Sequence, residues 1–159
     1  MIERVLLCVD GSPAALAASR LTVELALGWG AQVRAIYVVQ DSVIAEAIDA
    51  ASAGRLPPAE QRLEIAASGL LAHVVNLGRA RGIEIEPVRR LGEPLREILR
   101  EARAYRPDVV VIGLAGRRGS APTVIGSVTA HLLEFTEWPV IVVPARETET
   151  AHRGDDSEG

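Results

Sequence analysis

Five short apolar runs, separated by stretches with helical spacing, constrain this chain more than any other feature. Val5–Val9, Val33–Val39, Val109–Ile112 and Val140–Val143 are rich in β-branched residues and bounded by glycine, proline or charge. Such runs read as strands buried on both faces of a mostly parallel sheet. The fifth, Ile83–Val88, alternates apolar and polar residues and contains Pro87; it predicts a half-exposed strand near an edge. Helical patterns fill the gaps. Ser12-Pro13 is an N-cap and first-turn pair, after which Leu16, Leu21 and Leu25 run to Gly28 and Gly30. Leu63, Ala67, Leu70, Val74 and Leu77 recur at helical spacing until Gly82, and Glu93-Pro94 opens a helix that Pro107 stops. Ser127–Phe135 carries Val128, Leu132 and Phe135 on one stripe. Strict alternation of strand and helix predicts an α/β fold: a doubly wound, Rossmann-like, five-stranded mostly parallel sheet with right-handed crossovers and helices on both faces.

A length of 159 residues suits one domain around one core, and 48 % hydrophobic with 24 % charged residues is a globular balance. The domain is expected over residues 1–145. Residues 41–57 are Ala-rich without a clean period and read as a mobile insertion. Residues 146–159 hold five acids against Arg146 and Arg153, which predicts a disordered acidic tail. The body keeps sixteen acids and fifteen arginines, so no basic stripe marks a nucleic-acid partner. The chain has no lysine, which excludes a Walker-type P-loop. Its one cysteine, Cys8, lies in an apolar run and reads as a core residue. The N-terminal apolar stretch is too short and acid-flanked for a signal peptide, and no run approaches the roughly 20 residues that span a bilayer. A cytoplasmic protein is expected.

The segment with chemical content runs from Gly113 to Ser127. Strand Val109–Ile112 ends in Gly113-Leu114-Ala115-Gly116; nine residues, Arg117–Ile125, follow before Gly126-Ser127 opens a helix. A glycine-rich turn lets backbone N–H groups approach an anion, and a helix start adds unpaired N–H groups and a positive dipole end. Ser127 and Thr129 add hydroxyl donors. The helices after Pro13 and after Gly126 carry no acid until Glu24 and Glu134, which leaves both starts positive. In open α/β sheets ligands sit at the carboxyl ends of strands, where the winding reverses. With strands one and four as neighbours, Asp10 would face the same crevice as Gly113, and Val38 or Val39 would wall a base. The plainer alternatives are that the glycines only shape a surface turn, that Asp10 caps the turn at Gly11, that Ser12 is a helix cap, and that Arg117 and Arg118 are solvated loop residues.

The spacing G-x-x-G, nine residues, G-[S/T] resembles the nucleotide motif of the universal stress protein family, of the ATP-binding type, and stands here as Gly113, Gly116, Gly126 and Ser127. The flanks are similar too: VLLCVDGSPAALAA, AIYVV, GEPLREIL, RPDVVVIG and WPVIVVP, so the resemblance covers roughly residues 2–145. It implies an adenine nucleotide alpha hydrolase-like fold, bound ATP, a stress-response regulatory role and a homodimer with an unidentified protein partner. It maps Asp10 to ribose, Val38 to adenine, and Gly116, Gly126, Ser127, Val128 and Thr129 to phosphates, with Gly113 opening the turn. Pro122 and Thr123 depart from the more apolar loop usual in the family. No carboxylate marks a metal site, so any Mg²⁺ would be held mainly by the phosphates and water. The alternatives are a slow ATPase, a dimeric interaction module without nucleotide, and a cyclic-nucleotide binder. The dimer is expected through Val140–Val143, an apolar strand at a sheet edge.

Overall fold

The apolar runs do become strands, and the two central ones, at Val5–Val9 and Val109–Ile112, are covered on both faces. In the computed structural model, which describes residues 1–40, 59–115 and 125–145, β1 (Arg4–Val9), β2 (Gln32–Val39), β3 (Ile85–Leu91), β4 (Val109–Gly113) and β5 (Val140–Val143) form one sheet in the order β3-β2-β1-β4-β5. Every pairing is parallel, with Val5 opposite both Val33 and Val109, and Val111 opposite Ile141. Among the described residues four helices lie in the crossovers: α1 (Pro13–Trp29), α2 (Ala59–Arg79), α3 (Pro94–Tyr105) and α4 (Ser127–Phe135).

Alternate side chains of β1 feed two cores. Val5, Leu7 and Val9 pack with Ala18, Val23, Leu71 and Val74 from α1 and α2. Leu6 and Cys8 pack on the other face with Ile98, Ala102 and Leu132 from α3 and α4. This two-sided burial is why β1 and β4 read as unbroken apolar runs rather than alternating ones.

The helix ends follow local chemistry. Ser12, in an extended conformation, accepts a hydrogen bond from Ala15 N at 3.1 Å, and Pro13 supplies a first turn that needs no donor. Gly30 closes α1 with φ 66°, a left-handed conformation that glycine adopts without steric cost. Glu93 caps α3 by accepting from Leu95 N and Arg96 N at 3.0 and 2.8 Å.

The edge strand lies further along the chain than its pattern predicts. It occupies Ile85–Leu91 instead of Ile83–Val88. Ile83 N donates to Gly78 O in the turn that closes α2, so Ile83 belongs to the connection. Arg89, Arg90 and Leu91 extend the strand because β2 offers them Tyr37, Val38 and Val39 as partners. The readings of residues 41–57 and 146–159 fall outside the described residues.

Two polar arrangements tie the elements together. The Asp108 carboxylate accepts from Glu3 N at 2.7 Å and Arg4 N at 2.9 Å, fastening the start of β1 to that of β4. Those two backbone bonds hold its pKa below the ordinary value. On the α3 face, Glu101 is 2 % exposed and binds Arg34 at 2.8 Å and Arg90 at 2.6 Å. Arg34 also reaches Glu86 at 2.7 Å and lies 4.1 Å from the centre of the Tyr105 ring.

Candidate functional site

Strand order 3-2-1-4-5 means the chain winds one way from β1 and the other way from β4, so the helices after these neighbours leave on opposite faces. α1 packs with the first core and α4 with the second. Their departure opens a crevice at the carboxyl ends of the strands. A cavity of about 570 Å³ occupies it, within the range of small-molecule sites.

Asp10, Val38, Gly113, Ser127, Val128 and Thr129 all line this cavity. Gly126 stands beside them as the N-cap of α4. Gly116 lies outside the described residues, as do Arg117, Arg118, Pro122 and Thr123. Val38 and Val39 form an apolar wall with Ile36. Asp10 also does what the plainer reading expects of it: one carboxylate oxygen, Oδ1, accepts from Ser12 N at 2.9 Å across a turn in which Gly11 has φ 80°. No protein hydrogen bond engages Oδ2 among the described residues.

The start of α4 carries unpaired backbone donors into the lining. Its first intrahelical donor is Ala130 N, which bonds Gly126 O at 2.9 Å. The N–H groups of Ser127, Val128 and Thr129 precede it and have no intrahelical acceptor. No side chain caps this helix, and no acid lies in its first turn; α1 likewise has no acid there. Gly126 has φ −62° and ψ 149°, which any residue can adopt, so the backbone does not require glycine at this position.

Two details change the reading of individual residues. The Thr129 hydroxyl, expected as a donor toward a ligand, instead donates to Gly113 O at 2.8 Å. Gly113 is glycine because α1 packs directly on it: a Cβ would stand 2.8 Å from Ala15 N and 2.9 Å from the carbonyl carbon and Cβ of Ala14. Four further wall residues carry no motif. Leu63 and Ala66 come from α2, and Pro94 and Ile98 from α3; Leu63 and Ile98 sit on the apolar stripes of their helices, Pro94 reads as a helix start and Ala66 as an outward position, so none announces a wall role. Cys8 lies in the floor, where burial, with Asp10 adding to it, pushes its thiol up to about 12. It stays protonated and unreactive at neutral pH. Among the described residues no group of three or more His, Cys, Asp or Glu side chains could hold a metal ion, and no helix is long and apolar enough to cross a membrane.

A family model for universal stress proteins matches residues 1–144. The chain belongs to the universal stress protein family. Universal stress protein MJ0531 of Methanocaldococcus jannaschii is 26 % identical over 143 residues, covering 90 % of this chain and 82 % of that one. Among solved structures, the hypothetical protein MJ0577 superposes with a TM-score of 0.77 at 19 % identity, covering 93 % and 99 % of the two chains. A universal stress protein from Archaeoglobus fulgidus in complex with dAMP gives 0.64 at 23 % identity, covering 90 % and 98 %. A family member from Arabidopsis thaliana with AMP bound gives 0.64 at 21 %, covering 95 % and 97 %. At these identities the likeness to the solved structures is one of fold, and it matches the five-stranded parallel sheet described above.

Proposed function

We propose that the cavity binds an adenine nucleotide, with ATP as the physiological ligand, and that the protein acts as a homodimeric cytoplasmic regulator in a stress response. The observation that carries this reading is the convergence of two acid-free helix starts on one crevice beside Asp10. Phosphates would take the open N–H groups of α4 and the Ser127 hydroxyl. A ribose hydroxyl would donate to Asp10 Oδ2, and the base would lie against Val38, Val39 and Ile36. The dAMP and AMP held by relatives of the same fold support the ligand class. If Mg²⁺ accompanies ATP, phosphate oxygens and water would hold it, since Asp10 is the sole carboxylate among the described lining residues. A chain without lysine lacks the usual clamp for transition-state phosphate charge, which favours a sensor over an ATPase.

Mass spectrometry of small molecules released from the denatured protein, with calorimetric titration of stripped protein by ATP, AMP and cyclic AMP, tests the reading. An adenine nucleotide recovered or bound, and weakened by Asp10→Ala, is the expected result. Absence of binding by all three at millimolar concentration would sink it.

The dimer follows from a contrast between the two sheet edges. β3 carries Glu86, Pro87, Arg89 and Arg90, residues that keep an edge from pairing, whereas β5 is Val-Ile-Val-Val. Leu133 and Phe135, on the helix before β5, are 44 % and 57 % exposed. Pro139 O and Val143 O accept from Val110 N and Leu114 N of the β4 side. In a parallel ladder alternate residues serve one neighbour, so Val140 and Val142 aim their backbone groups outward. Val142→Pro removes an outward donor and should shift the solution mass toward monomer; an unchanged dimer mass in folded protein would refute this interface.

A further inference from the structure

Thr129 is the third residue of α4, is 3 % exposed, and spends its hydroxyl proton on Gly113 O across 16 residues of sequence. A hydroxyl has one proton, and phosphate oxygens only accept. While this bond stands, the Thr129 side chain cannot donate to a phosphate. Ser127 differs: it is exposed, and no hydrogen bond engages its hydroxyl among the described residues. The same Gly113 residue meets α1 from the other side. Atoms of Ala14 and Ala15 stand 2.8–2.9 Å from where its Cβ would be, too close for a side chain. One residue at the end of β4 thus holds both helix starts, α1 by contact and α4 by a buried hydrogen bond.

We propose that Thr129 and Gly113 are positioning residues, which fix the open N–H groups of α4 relative to the Asp10–Ser12 turn, and that neither the Thr129 hydroxyl nor the Gly113 carbonyl it holds binds the ligand. The inference rests on the nucleotide reading for what is positioned, but the bond it invokes joins two groups of the protein itself. Thr129→Val keeps the shape of the side chain and removes the donor; Thr129→Ser keeps the donor. In ligand-free protein, exchange of the Ala130 amide, the first bonded amide of α4, should quicken by roughly tenfold in Thr129→Val, the worth of one buried hydrogen bond. It should stay near the parent rate in Thr129→Ser. AMP affinity, read by calorimetry, should fall in Thr129→Val by a similar factor and be retained in Thr129→Ser.

Two results would overturn the proposal: unchanged Ala130 exchange in Thr129→Val, even with weakened AMP binding, which would make the hydroxyl a direct ligand contact; or faster exchange with parental affinity, which would make the bond structural only. If the parent itself fails to bind AMP or ATP, the reading of the cavity falls, and the exchange comparison alone decides whether Thr129 anchors the helix. Thr129→Ala, which removes the same donor in a smaller side chain, takes the place of Thr129→Val if that variant does not fold.

Discussion

Gly126→Val separates the fold from the site, because the structure gives the two effects very different sizes. Gly126 N donates to Leu114 O at 2.8 Å and its carbonyl accepts from Ala130 N at 2.9 Å; valine can make both bonds. With φ −62° and ψ 149°, valine also finds a backbone conformation that suits a β-branched residue. What remains is the poorer N-cap propensity of valine against glycine, about 1 kcal/mol. In a domain of this size that lowers the melting temperature by about 2–4 °C. The effect on ligand should be far larger. An isopropyl group would project from the residue that starts α4, in front of the N–H groups offered to phosphate. Nucleotide binding should be lost below detection. Ser127→Ala removes one exposed hydroxyl and should weaken binding by about 1–3 kcal/mol if that bond reaches a charged oxygen. Calorimetric titration with AMP and ATP, beside thermal melts followed by circular dichroism, reads both quantities. A folded Gly126→Val protein that binds nucleotide like the parent refutes the placement of phosphate at α4.

Two further predictions concern what holds the site's frame. The folded-state pKa of Asp108 is lowered by its bonds to Glu3 N and Arg4 N, so its stabilising contribution is complete above the ordinary aspartate value of about 3.9 and is lost as pH falls through the lower folded value. Asp108→Asn should therefore melt below the parent at neutral pH, with the gap closing under acid; a pH-independent gap would count against the carboxylate's role. Glu101→Leu removes the buried anion shared by Arg34 and Arg90, whose side chains are 21 % and 44 % exposed. Because both guanidinium groups keep contact with water, the loss should be about 1–3 kcal/mol in urea unfolding, short of the 3–5 expected for a fully buried pair. A change under about 0.5 kcal/mol, the size of an ordinary surface substitution, would show that the cluster is neutral.

The elements that sequence reveals here are those whose burial is decided locally. β1 and β4 sit between two helix layers, and their runs are apolar throughout; Ser12-Pro13 and Glu93-Pro94 carry their own caps. What stayed hidden depends on partners far along the chain. Arg89 and Arg90 look like loop residues until β2 supplies the ladder they join. Arg34, Glu86, Arg90, Glu101 and Tyr105 come from three elements, and nothing in their spacing announces an ionic cluster. At the site, the motif points to Gly113 and Ser127, and strand order sets Asp10 in the same cavity as both. The direction of the Thr129 hydroxyl was beyond reach, because a threonine in a helix's first turn can face a ligand or a strand, and the strand carbonyl that claims it lies 16 residues earlier.

The glycines of the motif that the structure describes serve different ends, and the difference bears on how such a site stays specific. Gly113 is fixed by packing: the space beside it belongs to α1, so a side chain there would damage the frame whether or not a ligand is present. Gly126 has no backbone requirement for glycine, and as the N-cap of α4 it is the position from which a side chain would reach the helix's first N–H groups. α4 begins with three N–H groups lacking intrahelical acceptors, no capping side chain and no acid in its first turn, while α3 is capped by both oxygens of Glu93. An N-cap side chain is worth about 0.5–2 kcal/mol to a helix. A capping side chain at the start of α4 would gain that stability and occupy the donors. A bound anion satisfies the same donors and stabilises the folded state by an amount that rises with the logarithm of its concentration once that exceeds the dissociation constant. On the nucleotide reading proposed above, the poor cap of α4 is the form a helix start takes when its satisfaction is left to a ligand, and the stability of that helix would then report nucleotide occupancy.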